Sequence, residues 1–329
     1  ILDEGTDEEI AQALIEKRNA ALNLKAELVQ KGFVDSWGDN PGLALESALV
    51  GTQYGKLGAR DSVGLAQDQR VGVYLQSHLN RLLDAELLDI ARSGVYDKEV
   101  IIARHLMDQP EPNKTALAKL PKEAVQYAKI LEESRKVPLH EANKAGAWIK
   151  PLPGYVFRRV HNMEKIRKNK DAWLAFMKEH VDWDTDMPGA TDREIHERLS
   201  QEQSQLATGE FVDFDQNKTP GMKGFGNIAR KLSKERVYNF KTPEAEYQYL
   251  TEFGDGTIHD NVESSLSSLA RSTALMEKFG PNAEATLLNV IEAKTRELHK
   301  QGANPKIIDD WATASRDVWI RHWPAITGE

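Results

Sequence analysis

Residues 257–280 read TIHDNVESSLSSLARSTALMEKFG, and their spacing decides the class of fold. Val262, Leu266, Leu269, Ala270, Thr273 and Met276 recur at intervals of three and four. That separation gathers side chains on one face of an α-helix. Gly280-Pro281 closes the run, because proline cannot continue a helix and glycine tolerates the backbone that ends one. The stretch predicts a long amphipathic helix over 257–279.

The same period extends in both directions. Thr242-Pro243-Glu244 sets a capping hydroxyl before a proline at the first helical position. Downstream, helices are expected over 282–301 and 305–322. Trp311, Trp319 and Trp323 stand there at helical spacing, as core residues or as a face for another segment or subunit. Upstream, a long helix is expected over 63–93, with Leu75, Leu79, Leu82, Leu83, Leu87 and Ile90, and Gly94 stops it. Another follows over 97–107. DQPEPN at 108–113 reads as a linker. Helices over 115–136 and 139–149 come next, divided by Pro138.

KPLPGY at 150–155 breaks the pattern, and YVFRRV continues as an extended piece. A helix over 162–180 follows, with Ile166, Trp173, Leu174 and Met177 facing inward. Thr191-Asp-Arg-Glu194 is a capping box that opens a helix to about 206. Residues 207–222 read as irregular, 223–233 as helix, and RVYNF at 236–240 as a short apolar piece. Near the start, Thr6-Asp-Glu-Glu9 is another capping box. It leads a stripe of Ile10, Ala13, Leu14, Ala21, Leu24 and Leu28. The glycine-punctuated stretch 38–64 holds a short helix over 42–50.

The fold class is therefore all-α: an array of more than ten helices with at most a tiny β element. The division is into an N-terminal helical region, 1–109, and a C-terminal helical domain, 110–329, in a piece of a longer chain. No repeat with a period of roughly 20–50 residues recurs, so a solenoid is not expected.

Composition limits the function classes. Hydrophobic residues make up 40% and charged residues 29% of the 329, with net charge −8. No apolar run approaches the ~20 residues of a membrane span. The chain has no cysteine, which removes disulfides, thiolate metal sites and cysteine nucleophiles together. None of its nine histidines forms an HExxH or ExxH pair. The glycines at 51–64 match neither a GxxxxGK[ST] loop nor GxGxxG, and no GxSxG occurs. Asp182, Asp184 and Asp186 have the spacing of half a calcium loop. Met187 and Arg193 stand where that loop needs glycine and glutamate, so an acidic turn is the better reading. His259, Asp260 and Glu263 share a helix start, with surface or cap chemistry as the default. No cofactor and no metal are expected.

Charge is arranged in blocks. Residues 155–180 hold seven cations against three acids. Residues 182–215 hold ten acids against two bases, and 218–241 seven bases against one acid. One reading is mutual neutralisation or solvation, within the fold or between subunits. The other is phosphate or DNA contact, which releases counterions and depends on salt. The residues that would make such a DNA or subunit contact are Arg158, Arg159, Lys165, Arg167, Lys168, Lys170, Lys223, Arg230, Lys231, Lys234 and Arg236. An overall pI near 5.7 argues against a general nucleic-acid binder, so neutralisation is preferred.

Four stretches carry a resemblance: ARDSVGLAQDQRVGVYLQSHLNRLLDAELLDIARSG, EANKAGAWIKPLPGYVFRRVHNMEKIRKNKDAWLAF, GMKGFGNIARKLSKERVYNFKTPEAEYQYLTEFGDG and SLARSTALMEKFGPNAEATL. In this order they resemble a segment of the large internal virion proteins of tailed bacteriophages. Similar segments occur in large polyvalent phage proteins. Those virion proteins sit in the capsid and are ejected into the host with, or ahead of, the DNA. The resemblance spans most of residues 59–290 and includes no catalytic signature. It implies a non-enzymatic structural segment that assembles with copies of itself and with other virion or ejection proteins. The implied locations are the virion interior and then the host envelope or periplasm, as part of a genome-delivery conduit. No small-molecule substrate is implied. Absence of cysteine suits a chain that must partly unfold and refold between compartments. Two alternatives stay open: a DNA-contacting module using the basic blocks, and an unrecognised hydrolase near His161 and the acids at 182–186.

Overall fold

A computed structural model gives the fold, describing Leu24, residues 46–49, 62–109, 111–147, 149, 161–208, 238–280 and 283–327. The expected box at Thr6–Glu9, its helical stripe apart from Leu24, and the helix over 223–233 lie outside the described residues. In chain order the helices are α1 (Val63–Asp84), α2 (Leu88–Ser93), α3 (Asp97–Met107), α4 (Lys114–Leu117), α5 (Lys122–Ala145), α6 (Met163–Lys168), α7 (Lys170–His180), α8 (Trp183–Asp186), α9 (Asp192–Thr208), α10 (Pro243–Phe253), α11 (Ile258–Phe279), α12 (Ala283–Lys300) and α13 (Pro305–Thr327). The class is all-α. The β content of the described residues is two isolated antiparallel bridges, His161 with Gly254 and Val181 with Phe240.

Helix α11 is the axis. Its start is a capping box: the Thr257 hydroxyl accepts from the Asp260 N–H, and the Asp260 carboxylate accepts from the Thr257 N–H at 2.7 Å. Val262, Leu266, Ala270 and Met276 of the expected stripe are buried. Leu269 is partly buried against a neighbouring cluster. α1 and α5 lie against α11 and against each other. Their shared core takes Tyr74 and Leu82 from α1, Tyr127 and Leu131 from α5, and Val262 and Leu266 from α11. α2, α3 and α10 close the end of this core with Ala91, Val100 and Leu250. Each fully buried Leu or Val there contributes about 1.5–3 kcal/mol relative to exposure. Helices on both sides of residues 109 and 110 share this one cluster.

A second core is aromatic. α6, α7, α9 and α10 surround Trp173, Phe176, Tyr249 and Phe253, with Phe240 beside them. At the far end of α11, Leu275 and Phe279 meet Ala283 and Leu287 of α12, Trp311 of α13 and Leu49. The Trp311 indole N–H donates to the Thr295 hydroxyl at 3.2 Å, so this tryptophan is core. Trp319 and Trp323 fall on the same helix.

Helix boundaries differ from expectation in four places. Where one helix is expected over 115–136, α4 ends at Leu117 and α5 begins after Pro121. The helix over 63–93 is two. Glu86 adopts φ 58°, the Glu86 N–H donates to the Leu83 carbonyl, and the Leu87 N–H donates back to the Leu82 carbonyl at 2.8 Å. This double bond is the Schellman stop, built here without glycine, and Leu82 and Leu87 are both buried in the same core. The expected break at Pro138 does not occur, because α5 runs through it with the proline buried. Beyond the proline, Ala142 and Ala145 are buried in a cluster with Met276 of α11, packing that works against the ~3 kcal/mol an interior proline costs. The helix over 162–180 turns at Asn169, whose side-chain amide donates to the Lys165 carbonyl at 3.0 Å. A side chain that takes a helical carbonyl offers the backbone a way out of the helix.

Gly94 is the stop that the sequence marks correctly. It holds φ 65°, and a Cβ there would stand 2.9 Å from the Thr257 methyl. The corner between α2 and α3 therefore fits directly against the cap of α11.

Candidate functional site

The expected basic surface is partly described. Asn162 caps α6 by accepting from the Lys165 N–H at 2.9 Å. Ile166 is buried, which leaves Arg167, Lys168 and Lys170 exposed. The Lys165 ammonium donates to the Gly254 carbonyl at 2.9 Å and stitches α6 to the end of α10. Lys168 pairs with Glu164 one turn back at 2.5 Å. Lys178 reaches Asp192 at the start of α9 at 3.2 Å, a bond between the basic and acidic blocks. Lys241 donates to the Glu179 carbonyl at 2.7 Å. Exposed pairs of this kind contribute ~0–1 kcal/mol each. Arg158, Arg159, Lys223, Arg230, Lys231, Lys234 and Arg236 lie outside the described residues.

His161 and the acids at 182–186 belong to separate arrangements. A ring nitrogen of His161 shares a 2.8 Å hydrogen bond with the Tyr249 hydroxyl. The same hydroxyl accepts from the Trp173 indole at 3.1 Å. Asp182 caps the single turn α8, accepting from the Thr185 N–H at 3.3 Å and the Thr185 hydroxyl at 2.8 Å. Asp186 accepts from the Asn239 backbone and side-chain amides at 2.9 and 2.6 Å. Burial pushes its carboxyl above the usual range. The acidic turn thus holds residues 238–240 in place. His259 lies 3.3 Å from Glu263, and Asp260 serves the cap. Among the described residues no group of three or more His, Asp or Glu is placed to hold a metal, and no helix is long and apolar enough to cross a membrane.

The most organised polar chemistry sits between α1, α5 and α11, where the sequence points to core and, at His259, to surface or cap chemistry; His259 is instead buried, 3% exposed, because its ring packs against His78. On one side Arg70 of α1 forks onto Glu277 of α11 at 2.7 and 3.0 Å, and its Nε donates to Glu141 of α5 at 3.2 Å. The Tyr74 hydroxyl donates to the same Glu141 carboxylate. Burial and that carboxylate raise the phenol's pKa. On the other side His78, fully buried, shares a 3.0 Å hydrogen bond with the Ser134 hydroxyl of α5. His78 also faces the ring of His259 on α11.

Nearby, Asp97 of α3 accepts from the Ile258 N–H at 2.9 Å. A carboxylate there satisfies an unpaired donor at the positive end of α11. Arg104 is 1% exposed, and it donates to Asp108 at 2.7 Å and to Glu132 of α5 at 2.9 Å. His105 is paired with Glu246 of α10 at 2.8 Å. These groups were findable in principle. Tyr74, His78 and Leu82 follow each other at intervals of four, so a polar ring occupies a core stripe.

Together these contacts define a helical framework whose polar side chains tie one helix to another. Comparison with protein-family models finds no match, and neither do searches of curated proteins and of solved structures.

Proposed function

We propose that the chain is a non-enzymatic structural segment of a bacteriophage internal virion protein. In this reading it resides in the capsid interior, is ejected into the host, and contributes to a genome-delivery conduit across the envelope. One observation carries the reading: charged and polar groups of the described residues, from buried Arg104 and Asp97 to partly exposed Arg70 and His105, act as ties between helices. Arg70 joins α1, α5 and α11, Arg104 joins α3 to α5, Asp97 joins α3 to α11, and His105 joins α3 to α10. Such groups fix which helix faces are neighbours, a role that buried ion pairs serve in some proteins. The order of the resembling stretches supports the viral assignment, and assembly is with copies of itself and other ejection proteins.

The test is fractionation of infected cells. The chain is expected in the envelope fraction within the period of genome entry, resistant to low-salt washing. Recovery only in the cytosol, or only in unadsorbed particles, contradicts conduit assembly.

DNA contact is the second reading, favoured by exposed Arg167, Lys168 and Lys170 on one short stretch. The Lys178–Asp192 bond between opposite blocks supports neutralisation instead. Titration of the chain with duplex and single-stranded DNA at several salt concentrations separates the two. Tight binding that weakens steeply with salt favours DNA contact.

A further inference from the structure

We propose that the seam between α1, α5 and α11 is an acid-sensitive latch, opened by protonation of the buried pair His78 and His259. The inference is independent of the viral reading. His78 is 0% and His259 is 3% exposed. Their rings lie 6.0 Å apart between centroids with planes inclined by 28°. With Ser134 bonded to His78, the pair connects all three helices.

Each ring has one nitrogen without a hydrogen-bond partner, Nε2 of His78 and Nδ1 of His259. A neutral imidazole tolerates this, since it has one donor and one acceptor nitrogen. An imidazolium has two donors, and His78 then holds a buried N–H with nothing to accept it. Stacked cations at this distance in a dry core also repel.

The surroundings set the sign. His78 feels His259 and Arg81, and both oppose a charge on it. Arg81 is tied to Glu133 of α5. Around His259, Glu263 and Asp260 favour charge, and Arg92 of α2 opposes it. Beside Ser134, Arg135 is paired with Glu132. Burial drives His78 down to about 4, and lowers His259 as well.

Between pH 6.5 and about 4 the open seam therefore binds a proton that the closed seam refuses. Its stability is present above pH 6.5 and is lost as pH falls through that window. Asp97 works in the opposite direction. Burial raises its carboxyl to about 6, so its contribution is lost as pH rises toward that value. The histidine effect must therefore be isolated by substitution.

The test is hydrogen exchange on the full chain at pH 7.5 and 5.0, corrected for intrinsic exchange rates. Opening of amides in 74–82, 130–138 and 258–266 is expected to rise about 30-fold at the lower pH from His78 alone. His78→Asn keeps a side-chain amide near Nδ1 and does not titrate, so its opening ratio between the two pH values is expected to be about 30-fold smaller than that of wild type. If that variant does not fold, NMR of wild type with 13C-labelled histidine decides, with the His78 ring expected neutral at pH 5.0. An opening ratio between the two pH values that is the same in wild type and in folded His78→Asn overturns the proposal. So does a His78 ring that titrates near 6.5 with the seam closed.

Discussion

Glu86 holds a left-handed backbone in the turn between α1 and α2, with φ 58°. An L-residue with a Cβ loses roughly 1–2 kcal/mol there, and glycine does not. Glu86→Gly is expected to raise stability by about 0.5–1 kcal/mol, offset in part by the freer unfolded chain. Urea denaturation of the two proteins checks it, and destabilisation would show that the Glu86 side chain makes a contact of its own. Asp97 gives the second test at this scale. Asp97→Ala leaves the buried Ile258 N–H without an acceptor, and is expected to cost about 1–2 kcal/mol. Asp97→Asn keeps an acceptor and removes the titration. Since the native carboxyl is raised to about 6, wild type is expected to lose stability relative to this variant as pH rises from 3.8 to about 6. A constant difference across that window would mean that Asp97 is better solvated than the fold implies.

At the scale of elements, α3 is fastened to α5 by Arg104, buried at the centre of its ties to Glu132 and Asp108. Arg104→Ala is expected to cost about 3 kcal/mol, because breaking a buried ion pair leaves its partners uncompensated. Thermal unfolding reads this directly, and a loss under 1 kcal/mol would place Arg104 among ordinary surface pairs. Several helix ends were legible because the stop is written in one residue, although Pro121, which separates α4 from α5, was passed over. Gly94 and Thr242-Pro243 mark their boundaries, and the Thr191–Glu194 box forms with the Thr191 N–H donating to Glu194 at 2.7 Å. They were illegible where the stop is a bond pattern. The turn at Glu86 needs a hydrophobic contact between Leu82 and Leu87, and the turn at Asn169 needs the Lys165 carbonyl. Pro138 misled because a local steric rule gave way to packing from distant helices. The polar seam was hidden for the same reason. Ser134 and His78 are 56 residues apart and His105 and Glu246 are 141 apart, separations that no local period encodes.

Across the whole molecule, α11 collects three packing regions along its length. Val262 and Leu266 serve the core with α1 and α5, Met276 serves the alanine-rich cluster at the end of α5, and Leu275 and Phe279 serve α12 and α13. One helix with this many neighbours makes the seam a control point for the fold, and gives acid opening at His78 and His259 wide reach. The opposite charge blocks meet at Lys178 and Asp192, so raising salt from 0.05 to about 0.5 M is expected to change stability by less than 1 kcal/mol. A large loss in that titration would instead assign the blocks a major structural role. The central functional claim concerns where the chain resides. Mass spectrometry of purified particles, treated with external protease before disruption, tests it most directly. Intact peptides from 63–145 and 243–280 are expected, protected until the capsid is opened. Their absence from particles that lysates of the same infected cells show to be expressing the chain would contradict the assignment.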